Sequence, residues 1–396
     1  MKSGSASGGL VRIAAWNGLL IAIAVGAAEL LFGGWLDSVR DPALWRLSIY
    51  RNVEWTFTAA SNYGRTEPVL YRRDRYGLRG GYGAPDQANI LVLGGSTTDE
   101  RYISEGETWT DTLARCLNDA GRTARIANAG VSGQSTRGHI RNFDAWLNHI
   151  PGLKPRYAIA YIGVNERLLE DRGNDDDVER FRESDRPLWL ERFKLNSALY
   201  GLYRAVSGNI IAWRAGIHHA QAKAAGRNET AAAALDRRWR EISASSLVIN
   251  SDEHAFSLGA AKIALGDELA AYADRLARLA EAIRRFGAEP IFVTQTDGGF
   301  RLKDGVVRGD LERYFVQRTF NDATLEFCAK AGGRCLDLGR EFTADDGDFY
   351  DSVHMTPQGS RKVAETICRG LLADPSFAAP SGTPAPTFPS PPRADR

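Results

Sequence analysis

From residue 89 onward, short apolar runs alternate with stretches in which apolar residues return every three or four positions, the pattern of strands alternating with helices. Residues 90–93 (ILVL) form an unbroken apolar run ended by Gly94-Gly95. Trp109, Leu113 and Leu117 then recur at four-residue spacing along a predicted helix that closes near Gly121. Residues 125–128 predict a second strand, and residues 157–162 a third that is apolar throughout, as a strand covered on both faces must be. Residues 290–294 and 335–338 supply a fourth and fifth. Apolar stripes predict covering helices over residues 261–286 (Ile263, Leu269, Leu276, Leu279, Ile283) and 360–372 (Val363, Ile367, Leu371). The alternation is that of an α/β fold. More than a hundred residues separate the third and fourth strands, far beyond one crossover helix, so a helical insert is expected at about 178–258. Its segment 196–244, rich in Ala, Arg, Leu and Trp and free of proline, reads as helical, a packing element first. The alternative has Trp213 or Tyr203 lining a substrate groove or lying on a membrane surface.

Ahead of this region, residues 13–32 are broken only by Asn17, Glu29 and small residues, and span ~30 Å as a helix, one bilayer core. A single-pass signal anchor is expected here, after a cytoplasmic lead of residues 1–12. Lys2 and Arg12 precede the span while Arg40, Arg46 and Arg51 follow it, so the positive-inside count does not set orientation. The short lead favours an N-in anchor in the inner membrane with the remainder periplasmic. A cleavable signal peptide, with small residues at 25–28, is the competing reading, and a buried core helix a third. Residues 33–87 read as linker and lead-in, residues 88–374 as the principal domain, and residues 375–396, rich in Pro, Ser, Thr and Ala, as a disordered tail.

The full chain of 396 residues has 50 Lys+Arg against 49 Asp+Glu, a formal net charge of +1, so nothing asks for a nucleic acid. Four scattered cysteines make no disulfide scaffold and lack paired spacing for zinc. A Cys328–Cys335 disulfide is the one pairing the spacing suggests. No metal site is expected: His218-His219 are helix neighbours that point apart, and the acidic run at 174–177 lacks the glycine and terminal glutamate of a calcium loop.

Candidate chemistry sits at strand ends. Ser96 directly follows the first of these strands, after glycines that let the chain turn sharply, and is the leading nucleophile. An N-cap or phosphate loop would use the same residues. Near the other end, Asp351-Ser352-Val353-His354 places a carboxylate and an imidazole three residues apart, before a Thr356-Pro357 helix start. His354 would serve as general base and Asp351 as its orienting partner; a surface Asp and a capping His are the alternative. Asn128-Ala129-Gly130-Val131-Ser132-Gly133 ends the second strand and Gly163-Val164-Asn165-Glu166 the third, so Ser96 N–H, Gly133 N–H and the Asn165 amide would converge as an oxyanion hole. Turn glycines and a capping Asn would look the same. His139, close to the second of these segments, either borders the pocket or lies on the surface.

Gly-Gly-Ser-Thr, Asn-Ala-Gly-Val-Ser-Gly, Gly-Val-Asn-Glu and Asp-Ser-Val-His occur in the order and contexts of the four sequence blocks of the SGNH/GDSL hydrolases, and the chain resembles that family over residues 89–372 without the insert. Tyr76-Gly77-Leu78-Arg79-Gly80 is similar to the lead-in of bacterial membrane-anchored members. The resemblance implies a three-layer α/β/α sandwich of about five parallel strands. It also implies Ser96 as nucleophile, Asp351 and His354 completing a triad, and Gly133 and Asn165 completing the oxyanion hole. Two departures bear on subfamily and acyl substrate: the family's Gly-Asp-Ser is Gly-Gly-Ser here, and Gly-Gly-Asn-Asp is Gly-Val-Asn-Glu. The expected function is ester hydrolysis through a covalent acyl-enzyme without cofactor, with an O-acylated cell-envelope or exported polysaccharide as substrate. An O-acyltransferase using the same serine and a noncatalytic glycan-binding or assembly protein are the alternatives.

Overall fold

The computed structural model describes residues 6–36, 49–166, 187–214, 246–345 and 347–377; the acidic run at 174–177, His218-His219 and most of the expected tail lie outside them. The chain divides into two compact units, Met1–Ser48 with Arg182–Lys223, and Ile49–Phe181 with Ala224–Arg396.

The larger unit opens with a hairpin, β1 (Val53–Ala59) and β2 (Arg65–Arg73), in the stretch read as linker and lead-in. Alternate residues of each strand share one face, and the antiparallel register sets Trp55 opposite Tyr71 and Phe57 opposite Val69, giving the hairpin a small apolar core. Five short apolar strands then build one sheet: β3 (Ile90–Gly94), β4 (Ile126–Asn128), β5 (Tyr157–Tyr161), β7 (Glu289–Val293) and β10 (Arg334–Leu336). They pair in parallel in the order β10-β7-β5-β3-β4. On one face Ile90, Val92, Ile159, Tyr161, Ile291 and Val293 meet Trp109, Leu113 and Leu117 of the Trp109–Asp119 helix and Val363, Ile367 and Leu371 of the Pro357–Ala373 helix. On the other, Phe292 packs on Phe327 of the Leu311–Ala331 helix, and the Gly266–Arg285 helix lies against both that helix and the Thr136–Ala145 helix. This is the three-layer α/β/α sandwich with five parallel strands expected from the sequence. The last helix starts as read, with Thr356 Oγ1 accepting from Gly359 N ahead of Pro357.

Strand order decides where a site can form. The chain leaves β3 towards β4 on one side and runs from β5 towards β7 on the other, so their connections diverge and open a crevice at the carboxyl ends of β3 and β5.

Four features differ from the sequence reading. The helix expected over 261–286 is two, Asp252–Ala264 and Gly266–Arg285, meeting at Leu265. A second, antiparallel sheet of β6 (Ser246–Val248), β8 (Phe300–Lys303) and β9 (Val306–Gly309) has its own core of Leu247, Phe300, Val307, Tyr314 and Phe315. All four cysteines are paired: Cys328–Cys335, as the spacing suggested, and Cys116–Cys368, which joins the Trp109–Asp119 and Pro357–Ala373 helices across 252 positions. Phe377, inside the expected tail, is buried against Tyr157, with ring centroids 4.8 Å apart.

The smaller unit holds the apolar helix Ala6–Phe32, whose Val11–Phe32 portion is long and apolar enough to cross a membrane, with a mean hydropathy of 1.8 and side chains exposed along its length. Two helices of the insert, Leu188–Asn196 and Ala198–Arg214, belong to the same unit.

Candidate active site

β3 ends in Gly94-Gly95, and the chain turns at once into a one-turn helix, Ser96–Asp99. Ser96 Oγ lies 2.8 Å from His354 Nε2, and His354 Nδ1 lies 2.6 Å from Asp351 Oδ2, so three side chains drawn from opposite ends of the sequence form one relay. Asp351 Oδ1 accepts from the backbone N–H groups of Val353 (2.8 Å) and His354 (2.7 Å), which fixes the carboxylate while Oδ2 holds the imidazole. Burial alone would raise the Asp351 pKa; the hydrogen bond and charge of His354, with the two backbone donors, outweigh it and hold the carboxyl below its ordinary value. It is therefore an acceptor at neutral pH, and the proton on Nδ1 leaves Nε2 as the basic nitrogen facing the serine. The Tyr350 ring stacks on the imidazole, with centroids 5.6 Å apart and planes 11° apart.

The loop after β4 and the loop after β5 meet beside the serine. Asn165 Nδ2 donates to Gln134 O at 2.7 Å, which orients its amide next to Gly133 in the chain. Gly133 takes φ +82°, a backbone conformation that glycine adopts without strain. A Cβ on Gly95 would run into Asn165 Nδ2, so the amide occupies the space a side chain at this position would take. In the Gly-Val-Asn-Glu segment, Glu166 is buried and accepts from Thr136 N (2.6 Å), Thr136 Oγ1 (3.0 Å) and Arg275 Nη2 (2.9 Å). A longer carboxylate reaches from the β5 loop to the first turn of the Thr136–Ala145 helix and locks the two loops together.

Several supporting residues escaped the sequence reading. Gln295, just past β7, donates to Thr97 Oγ1 (2.9 Å) and accepts from Val164 N (2.6 Å), tying the serine's turn to the Asn165 loop. Arg313 pairs with buried Asp297 (2.7 Å) and donates to Ser352 O (3.2 Å) and Oγ (3.0 Å), bracing the segment between Asp351 and His354. Arg73 and Arg79 are both buried: Arg73 pairs with Asp99 at 2.6 Å, and Arg79 donates to Glu100 O (3.0 Å) and Ile103 O (3.1 Å), so the lead-in grips the serine's helix. Polar residues just beyond a parallel strand were the available signal for Gln295 and Asp297; Arg79 lay within the lead-in of residues 76–80, and none marked Arg73. His139 is buried, with Nδ1 3.1 Å from Gln134 Oε1, and burial pushes its pKa down to about 3, so it is a neutral prop for the Gln134 turn. Among the described residues no cluster of three or more His, Cys, Asp or Glu is placed to hold a metal ion.

No family model and no curated protein matches the sequence. Solved structures similar to the chain include TesA, 14% identical over 71% of this chain and 97% of that one, with a TM-score of 0.37. A catalytic mutant of Axe2, an acetylxylan esterase from Geobacillus stearothermophilus, is 11% identical over 71% and 92%, with a TM-score of 0.38. A member of the lipolytic protein G-D-S-L family from Veillonella parvula is 13% identical over 71% and 96%, with a TM-score of 0.36.

Proposed function

We propose that this chain is a serine ester hydrolase of the SGNH type, acting through a covalent acyl-enzyme. The observation that carries the reading is the relay itself, Ser96 Oγ to His354 Nε2 at 2.8 Å and His354 Nδ1 to Asp351 Oδ2 at 2.6 Å, with Asp351 held ionised. Ser96 Oγ bonds to the ester carbonyl carbon as its proton passes to His354 Nε2, and the carbonyl π pair moves onto oxygen. Ser96 N–H, Gly133 N–H and the Asn165 N–H not engaged by Gln134 receive that oxyanion. The bond to the alcohol oxygen then breaks as His354 returns the proton to it, leaving Ser96 acylated. Water repeats the sequence and releases the acid. Asp351 stays ionised throughout and stabilises the imidazolium.

The setting supports an extracytoplasmic enzyme. Two disulfides are bonds that persist in an oxidising compartment, which supports a location of the larger unit outside the cytoplasm and, with it, the N-in orientation that the flanking charges left open. Retained as an anchor in the inner membrane, that helix would tether the enzyme among O-acylated envelope or exported polysaccharides, the substrate class we favour. Labelling with a fluorophosphonate probe tests the chemistry: the wild type is expected to be labelled and Ser96→Ala to be silent at equal folding. A folded wild type that takes no label removes the reading. Acetyl release with and without an oligosaccharide acceptor then separates hydrolysis from transfer.

A further inference from the structure

Six large residues of the Ala198–Arg214 helix, Leu199, Leu202, Tyr203, Val206, Ile210 and Trp213, are exposed, Tyr203 at 66% and Trp213 at 80%. Their spacing of three, one, three, four and three places them within about 100° of arc on a helical wheel, one continuous apolar stripe. A shallow cavity of about 360 Å³, lined by Ala205, Val206, Asn209, Ile210 and Trp213, lies along it. Exposed Arg204 and Arg214 stand off the stripe. At ~1.5 Å per residue the helix is ~25 Å long, short of a ~30 Å hydrocarbon core, and Arg204 interrupts it. It is built to lie along an interface rather than to cross one.

What it lies against follows from its first turn. Glu29, near the end of the Ala6–Phe32 helix, accepts from Ser197 Oγ (2.7 Å), Ala198 N (2.9 Å) and Leu199 N (3.2 Å), and from Trp35 Nε1 (2.8 Å). Gly34 N donates to Asn196 O at 2.8 Å, and the Trp35 and Phe193 rings are 6.2 Å apart. The stripe therefore begins where the bilayer-length apolar run ends, at the depth of the headgroup boundary, where amphipathic Trp and Tyr side chains settle. We propose that the Ala198–Arg214 helix of the insert is an in-plane membrane helix, its Leu199–Trp213 stripe sunk into the lipid interface beside the end of the N-terminal anchor. The proposal rests on that N-terminal helix remaining as an anchor.

All four native cysteines are paired, so an added thiol can be labelled alone. Val206→Cys on the stripe and Ile21→Cys in the anchor, each in the full chain and carrying an environment-sensitive fluorophore, are reconstituted into vesicles of phosphatidylethanolamine and phosphatidylglycerol. Ester turnover serves as the folding check. The label at 206 is expected to shift to the blue and to be quenched several-fold by a nitroxide at headgroup depth, and that at 21 by one near the bilayer centre. Water-like emission at 206 with quenching at 21 overturns the in-plane helix and spares the anchor. A blue shift at 206 without nitroxide quenching gives the stripe to a protein surface and also overturns it. No quenching at 21 removes the anchor itself, and the in-plane helix with it.

Discussion

At Gly95 the functional property is an absence. The Asn165 amide occupies the volume a Cβ would take, so Gly95→Ala is expected to displace the proposed oxyanion donor while leaving Ser96 and His354 in place. Losing one such donor costs about 2.7–4 kcal/mol of transition-state stabilisation, so Asn165→Ala should lower kcat about 10²–10³-fold with little change in KM. Gly95→Ala should fall part of the way; a rate equal to wild type would show that the amide is not the donor. Glu100 offers a titration to follow. It caps the serine's helix at φ +44°, and its Oε2 accepts from Trp109 N at 2.7 Å. Burial is the dominant cause that pushes its pKa up to about 8, against the hydrogen bonds of Trp109 and Ser360. A raised folded-state value means that the folded chain binds a proton more tightly than the unfolded one. The stability Glu100 contributes is therefore complete below its ordinary range and is lost as pH climbs through about 8. Thermal melts of Glu100→Gln against wild type should diverge in favour of the variant as pH rises from 5 to 9; parallel curves would show that Glu100 does not titrate there.

The elements that position the site differ in how much of them the sequence reveals. β3, β5 and the Pro357–Ala373 helix were legible because a strand covered on both faces is apolar at every position and a Thr-Pro pair marks a helix start. Ser96, Gly133 and Asn165 were legible for a related reason, since each follows a strand, while Asp351 and His354 stood just ahead of that marked helix start. The β1–β2 hairpin was not: Trp55 and Phe57 alternate with Glu54, Thr56 and Thr58, but in the second strand Pro68 and Leu70 stand between and beside Val69 and Tyr71 and blur the two-residue period. Nor could any spacing pair Cys116 with Cys368, whose distance in the sequence says nothing about two helices stacked on one sheet face. Arg79 lay in a recognised segment, yet its work is tertiary: it gives hydrogen bonds to Glu100 O and Ile103 O and pairs with Glu105 at 2.6 Å. Arg79→Ala leaves those carbonyls and the carboxylate without their buried partner and is expected to cost about 3–5 kcal/mol in denaturant unfolding. A loss below 1 kcal/mol would mean that water replaces the guanidinium.

For the larger unit as a whole, the Cys116–Cys368 bridge closes most of the chain into one loop. Chain-entropy reasoning gives such a loop about 5–6 kcal/mol, so the Cys116→Ser, Cys368→Ser double variant should unfold at clearly lower denaturant, while Cys328→Ser with Cys335→Ser, closing a loop of a few residues, should matter far less. Mass spectrometry of unreduced peptides from chain exported to an oxidising compartment should find both pairs. Two free thiols at 116 and 368 would count against that location. The sheet has one more consequence. β5 and β7 are parallel neighbours, with Tyr157 beside Glu289 and Tyr161 beside Val293, so the excursion between them leaves at one end of the sheet and must return to the other, a crossing made by the Gly266–Arg285 helix. What precedes that returning helix is the exchangeable part: a different module could be spliced in ahead of it while the strands on either side still bring Ser96, Asn165 and His354 together, and adaptation to a new surface would need no change at the serine.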